Sequence, residues 1–260
     1  MLFRSVRDVD RQHGTLVVQV DTSLEARAEA LEQCRPTLLE RVADWLAASQ
    51  RGLARLAVEY DGADYRGAVA LRPRAPVVTC VTVTNVRVTF REIQETILLD
   101  FRIAEAGIRQ LAFRLPASLQ GAHIAALHVR EKRVLPIAGE PYVRVTLDLQ
   151  DAITGEYRVV VENDRAIRPE RQVAPLPLVD TGTTTSRYVT LENAGRDEVA
   201  PDGTPGLEEV TRQSRQWEQL AARIAGGDFA LAYVTTQTGA DAEFGYRTRQ
   251  RKIVKTAGAS

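Results

Sequence analysis

Between Ala75 and about Arg168 the apolar residues recur at every second position, and this period constrains the fold more than any other feature of the chain. Ile97, Leu99, Phe101 and Ile103 alternate with Asp100 and Arg102. Leu111, Phe113 and Leu115 follow, closed by Pro116; Val143, Val145, Leu147 and Leu149 form a third run, and Tyr157, Val159 and Val161 a fourth. Successive side chains of a strand point to opposite faces, so each run lays one apolar face on a core. Gly107, Gly121, Gly139 and Gly155 punctuate the runs, and no helical period intervenes. Strands joined by short turns predict an antiparallel sandwich, because parallel βαβ units would need helices between them. One irregularity stands out. Val81 and Val83 share one phase while Val86, Val88 and Phe90 take the other, and the slip near Asn85 predicts a bulge or a strand that changes sheets.

The flanks read differently, and they read alike. Val9-Asp10 matches Val179-Asp180, Val18 to Asp21 resembles Val189 to Glu192, Leu56-Ala57 matches Leu231-Ala232, and Gly62-Ala63-Asp64 matches Gly239-Ala240-Asp241. Trp45 and Trp217, the only two tryptophans, fall into the same series. The offset creeps upward along the chain from 170 to 177, as small loop insertions would make it. In the first copy a strand over Thr15–Val20 precedes a predicted helix with Leu38, Leu39, Val42, Trp45 and Leu46 on one face and Pro36 near its start. Whether Leu24–Leu31 is helical is left open. A strand over Leu53–Tyr60 and a hairpin partner from Tyr65 complete the copy. In the second copy a strand over Ser186–Glu192 precedes a helix expected to start at Thr204-Pro205, with Leu207, Val210, Trp217, Leu220, Ala221 and Ile224 inward and Gly226-Gly227 as its stop. Both indoles are expected in cores.

The expected class is therefore mainly β with minor α (α+β): a central antiparallel β-sandwich flanked by two related small α+β units, each strand–helix–β-hairpin. The boundaries fall at 1–74, 75–168 and 169–260. The segment Arg171–Gly182, with two prolines, reads as an edge strand or linker. Such a chain begins and ends at the same point of its repeat, as a slice of a longer array would. In general style it resembles the large repetitive envelope or secreted proteins of bacteria, and no motif narrows this to a family.

Lys+Arg and Asp+Glu both number 34, which argues against a nucleic-acid partner, since that requires an uncompensated basic face. No run is long enough for a transmembrane helix, so no direct membrane insertion is expected of this segment. Cys34 and Cys80 read as small apolar residues and are too few for a structural zinc site.

No residue pattern in the sequence marks a catalytic, cofactor-binding or metal site. His123 and His128 read as one strand with opposite faces, and His13 as part of a turn. Glu92 and Glu95 flank an expected turn, Glu208-Glu209 are expected to open a helix, and Asp241 and Glu243 follow a turn. The Asp61–Asp64 and Pro201–Thr204 stretches lack the ligand spacing of a calcium loop and read as turns. The basic run Tyr246–Lys255 reads as an edge strand protected by charge. These readings point to a non-catalytic structural or interaction module, part of a larger repetitive bacterial protein of the cell envelope or secreted, with an extracytoplasmic location favoured. Its expected partners are neighbouring modules of the parent chain or another protein. One alternative is a carbohydrate- or protein-binding sandwich, with exposed aromatics such as Tyr142, Tyr157 or Tyr246 grouped on one surface. A second is a hydrolase with dispersed carboxylates.

Overall fold

The computed structural model describes residues 12–62, 64–168, 170–224, 226 and 228–249. The Val9-Asp10 match and the basic run beyond Arg249 lie outside them. The chain is mainly β, with 60% strand and 9% helix. It divides into two compact units: residues 1–76 with 105–107, and residues 77–104 with 108–260.

The first unit runs β1 (His13–Gln19), β2 (Leu24–Glu32), β3 (Cys34–Thr37), α1 (Ala48–Arg51), β4 (Ala54–Asp61) and β5 (Arg66–Pro73). Antiparallel pairing gives one sheet in the order β1-β4-β3 and a second of β2 with β5. Leu24–Leu31 is thus a strand. Its Leu, Glu, Ala and Arg favour helix, and pairing with β5 overrides a propensity worth only tenths of a kcal/mol per residue. The helix expected over 38–46 is not formed. Leu39–Arg41 and Ala43–Trp45 are two 3₁₀ turns without side-chain caps. An uncapped segment this short has too few backbone bonds to offset nucleation, so burial of Val42 and Leu46 decides its path. Trp45, expected in a core, is 58% exposed.

Apart from residues 105–107 of β7, the second unit contains β6 (Val77–Val88), β7 (Glu92–Pro116), β8 (His123–Ala126), β9 (Val129–Pro136), β10 (Tyr142–Ala166), β11 (Gln172–Val173), β12 (Leu178–Val179), β13 (Thr183–Asn193), β14 (Glu198–Pro201), β15 (Glu208–Glu209), α2 (Arg215–Arg223), β16 (Leu231–Thr235) and β17 (Gly245–Arg249). The two 25-residue strands β7 and β10 pair along their whole length, with irregularities between Asp148 and Gly155. One half of β7 is flanked by β6 and the other by β12, while the halves of β10 are flanked by β8 and β9. The alternating residues named above, from Ile97 to Ile103, Leu111 to Leu115, Val143 to Leu149 and Tyr157 to Val161, pack into one core.

The slip near Asn85 has a different cause from a bulge. β6 and β7 keep one register from Val77 to Val88. The strand is covered on both faces: Val81 and Val83 lie under α2, whereas Val86 and Val88 pack with Phe244 and Tyr246. Two-sided burial removes the polar half of the alternation, and an apolar change of phase follows without any change of backbone. Phe90, read with that phase, is exposed beyond the strand.

The boundary expected at 168/169 does not separate two units. β13 pairs parallel to β6 inside the large sheet, in the order β15-β16-β13-β6-β7-β10-β8. The sheet is therefore mixed. α2 starts not at Thr204-Pro205 but at Ser214, whose hydroxyl accepts from the Trp217 amide at 3.2 Å. Glu208 and Glu209 form the edge strand β15 rather than opening the helix. Leu220 and Ile224 are buried, and Trp217 is half-buried with its ring 4.4 Å from that of Phe229.

The elements β1–β5 and β13–β17 share one order: three strands, a helical segment, two strands. They also share their pairing. β1-β4-β3 corresponds to β13-β16-β15, and β2-β5 to β14-β17, with every pair antiparallel. The sets differ at two edges: β13 carries β6, and β17 carries β11.

Candidate functional site

The face of the large sheet opposite the sandwich core carries two rows in which charged residues lie side by side. In the first, Val81 on β6, Asp100 on β7 and Arg158 on β10 lie side by side. In the second, Thr79, Arg102 and Glu156 do. Alternation forces this placement, since Leu99, Phe101 and Ile103 face the core and Asp100 and Arg102 must face away. Arg158 grips Asp100 with two bonds, Nε to Oδ1 at 2.6 Å and Nη2 to Oδ2 at 3.1 Å. Arg223, at the end of α2, adds Nη1 to Oδ2 at 2.5 Å. The Asp100 carboxylate beside Arg158 pushes the guanidinium pKa up and keeps it charged. These residues line an open cleft of about 810 Å³, with Leu127 exposed at its rim. Three guanidiniums face two carboxylates there, so the cleft keeps a positive excess on a chain of zero net charge. Both oxygens of Asp100 are engaged, which suits an ion-binding surface better than an acid or base that must release a proton.

A second concavity, of about 720 Å³, lies in the first unit against His13, Cys34, Arg35, Glu59 and Asp61. Glu59 accepts from the Thr37 hydroxyl at 3.0 Å and from Arg35 at 3.1 Å. The Thr37 bond, and then Arg35, hold its carboxyl below the usual range. Tyr60 covers Gly14 and stacks on Tyr65, with ring centroids 4.1 Å apart.

Several residues that stand out in the sequence have other roles. Tyr157 and Tyr246 are buried, and the Tyr157 hydroxyl donates to the Leu127 carbonyl at 2.5 Å. Tyr157 and Tyr246, named among the rings that a binding surface would expose, are therefore not exposed; the period-two rule that exposes one side of a strand puts both of these rings inward. His128 is not in a strand with His123: β8 ends at Ala126, and His128 sits in the following turn with φ 54°. His13 opens β1. Glu95 is buried and takes Arg165 at 2.7 Å and the Asn163 amide at 2.8 Å. Glu243 pairs with Arg171, and Asp202 with Arg247, so these turn carboxylates are neutralised locally. Both cysteines are free thiols. Among the described residues no group of three or more His, Cys, Asp or Glu could hold a metal, and no helix is long and apolar enough to cross a membrane.

One residue gave no signal in the sequence. Arg187 is 1% exposed, and its Nη1 donates to the carbonyls of Gln237 and Gly239 at 3.4 and 2.7 Å. Its Nε and the buried Thr82 hydroxyl, opposite it in the β6–β13 ladder, have no partner among the described residues. Burial pulls its pKa down.

No family model matches the chain, and no curated protein does. Among solved structures it is similar to a mutant of the M1 zinc metallopeptidase from Deinococcus radiodurans, at 12% identity and a TM-score of 0.30 over 67% of this chain. The same mutant bound to a Tyr-ser-ala substrate gives the same figures, and another structure of the metallopeptidase gives a TM-score of 0.28 at 12% identity. The chain spans 43% of the length of the first of these. At that similarity nothing of the peptidases' chemistry carries over to this chain.

Proposed function

We propose that this chain is a non-catalytic structural and interaction module of a larger, repetitive bacterial protein of the envelope or secreted. One observation carries the reading: β1–β5 and β13–β17 have the same element order and the same three antiparallel pairings. The sequence matches from Val18 and Val189 onward, at offsets of 171 to 177, fall in or beside the same elements. A β-sandwich between two such sets is what a repeating polypeptide of α+β units and sandwiches would present. The Asp100 cleft gives the module a positively charged face for an anionic group of a partner protein. The engaged carboxylates of Asp100 and Glu59 favour binding over proton transfer. The test is the complete coding sequence of the parent protein. Further α+β sets alternating with sandwiches support the reading, and a coding sequence without them overturns it.

Carbohydrate binding has one observation in its favour, the Tyr60–Tyr65 stack in the first unit beside polar Arg35, Glu59 and Asp61. A glycan array in which Tyr65→Ala removes every signal would support it. An array without signals would dispose of it.

A further inference from the structure

We infer that the edge of β1 that no described strand covers, with the exposed face around Leu38 and Trp45, docks a β-sandwich built like β6–β10 and supplied by a neighbouring repeat. This docking rests on the repetitive-module reading above, and it names the partner that the reading leaves unnamed. The correspondence of elements locates the surface. β13 lies between β16 and β6, and β6 covers one of its edges in parallel from Thr183 to Asn193. β1 holds the equivalent place, with β4 on one side and no strand among the described residues on the other. The chain's own β6 cannot fill that place, because β13 and β7 occupy both of its edges.

The side chains point the same way. Leu16, Val17 and Val18 are consecutive apolar residues, the composition of a strand covered on both faces, yet all three are only half-buried. Val189 and Leu191, on the equivalent strand, are fully packed. An open apolar edge is a template for pairing, and native chains leave one open where a partner will cover it. The helical segments agree independently. Trp217, Leu220 and Ile224 of α2 lie on Val83, Leu98 and Val160, the outer face of the sandwich. In the equivalent segment of the first unit, between β3 and β4, Leu38 is 61% and Trp45 58% exposed. The occupant must therefore bring two things together: an edge strand that runs parallel to β1, and an apolar face beside that strand to receive an indole. The outer face of β6, β7 and β10 is such a surface, and a protein with an apolar patch alone is not.

The experiment joins a second copy of residues 77–170 ahead of Met1 of the full chain, which reproduces the 170-residue spacing of the sequence matches. The added segment carries no tryptophan, so in a Trp217→Phe background the emission belongs to Trp45 alone. We expect acrylamide quenching of Trp45 to fall several-fold against the unextended Trp217→Phe chain, and amide exchange of Leu16 to Val18 to slow by orders of magnitude. Leu38→Asp in the same fusion should restore both values. A fusion that fails to fold, or that folds with Trp45 quenched as before, overturns the docking, because an uncovered β6 edge is what the first unit is held to protect. The repetitive-module reading stands or falls separately, on the coding sequence.

Discussion

The Glu95 carboxylate on β7 lies 2.7 Å from Nε of Arg165 on β10, and Glu95 is 3% exposed. The same guanidinium bonds the Tyr246 hydroxyl at 2.6 Å and the side chain of Gln172. It thereby ties the sandwich strands to β17 and to the segment preceding β12. An ion pair this deep contributes little beyond an apolar pair of equal volume, but breaking it strands a buried charge. Arg165→Met is expected to cost about 3–5 kcal/mol. The double variant Glu95→Leu with Arg165→Met should recover most of that loss, and a urea-unfolding cycle over the four proteins measures the coupling.

The two tryptophans should respond unequally. Trp217 is half-buried against Phe229, with Arg212 5.6 Å from its ring, so Trp217→Ala should cost about 2–4 kcal/mol, near the lower end for large-to-small changes. Trp45→Ala removes an exposed ring from a 3₁₀ turn and should change stability by less than about 0.5 kcal/mol. Equal losses at both sites would contradict the difference in packing.

Much of the second unit was legible because burial on one face leaves a period-two record. Ile97 to Ile103, Leu111 to Leu115 and Val143 to Leu149 read as strands and are strands. Burial on both faces erases that record, which is why the constant register of β6 read as a slip. The pairing of β13 with β6 joins residues about a hundred positions apart, and no local pattern encodes it. The helix over 38–46 failed for a physical reason of its own: an amphipathic stripe states which residues can be buried together and not whether anything is there to bury them. The cleft was half visible. Asp100 and Arg102 stood out as the polar half of an alternation, but Arg158 and Arg223 join them only through register and the end of α2.

Acid should loosen the first unit through Glu59. Its carboxyl is held below the usual range by the Thr37 hydroxyl and then by Arg35, so the folded state binds its proton less readily than the unfolded chain. The stabilising contribution is fully present above the unfolded carboxylate pKa and is lost as pH falls through the folded value. Amide exchange in β3 and β4 should therefore accelerate below the carboxylate range. Glu59→Gln should flatten that dependence, and Thr37→Val should shift it toward higher pH.

Thiol labelling separates the two cysteines. Cys80 is buried under the sandwich core, and its thiol is pushed up by that burial and by the charge of Asp100, so little thiolate forms at neutral pH. Cys34, at the start of β3, is partly exposed. A thiol-reactive disulfide reagent should modify one group per chain in native buffer and two in urea. Cys34→Ser should abolish the native signal, and early modification of Cys80 would mean that the β6–β7 pair opens readily.

Gly182 precedes β13 at the point where the chain turns into its parallel path beside β6. Its φ is +88°, and a Cβ there would meet the carbonyl and side chain of Val78 directly. Gly155, within β10, has φ +85° but open space around it. Both Gly→Ala changes incur the left-handed penalty of about 1–2 kcal/mol. Gly182→Ala adds an overpacking cost of about 1–3 kcal/mol because the obstacle is backbone and cannot swing aside. Thermal or urea unfolding of the two variants should therefore differ, with Gly182→Ala the less stable. The difference between them isolates the steric part of the loss from the conformational part, and two equal losses would mean that β13 can shift along β6 to make room for the methyl group.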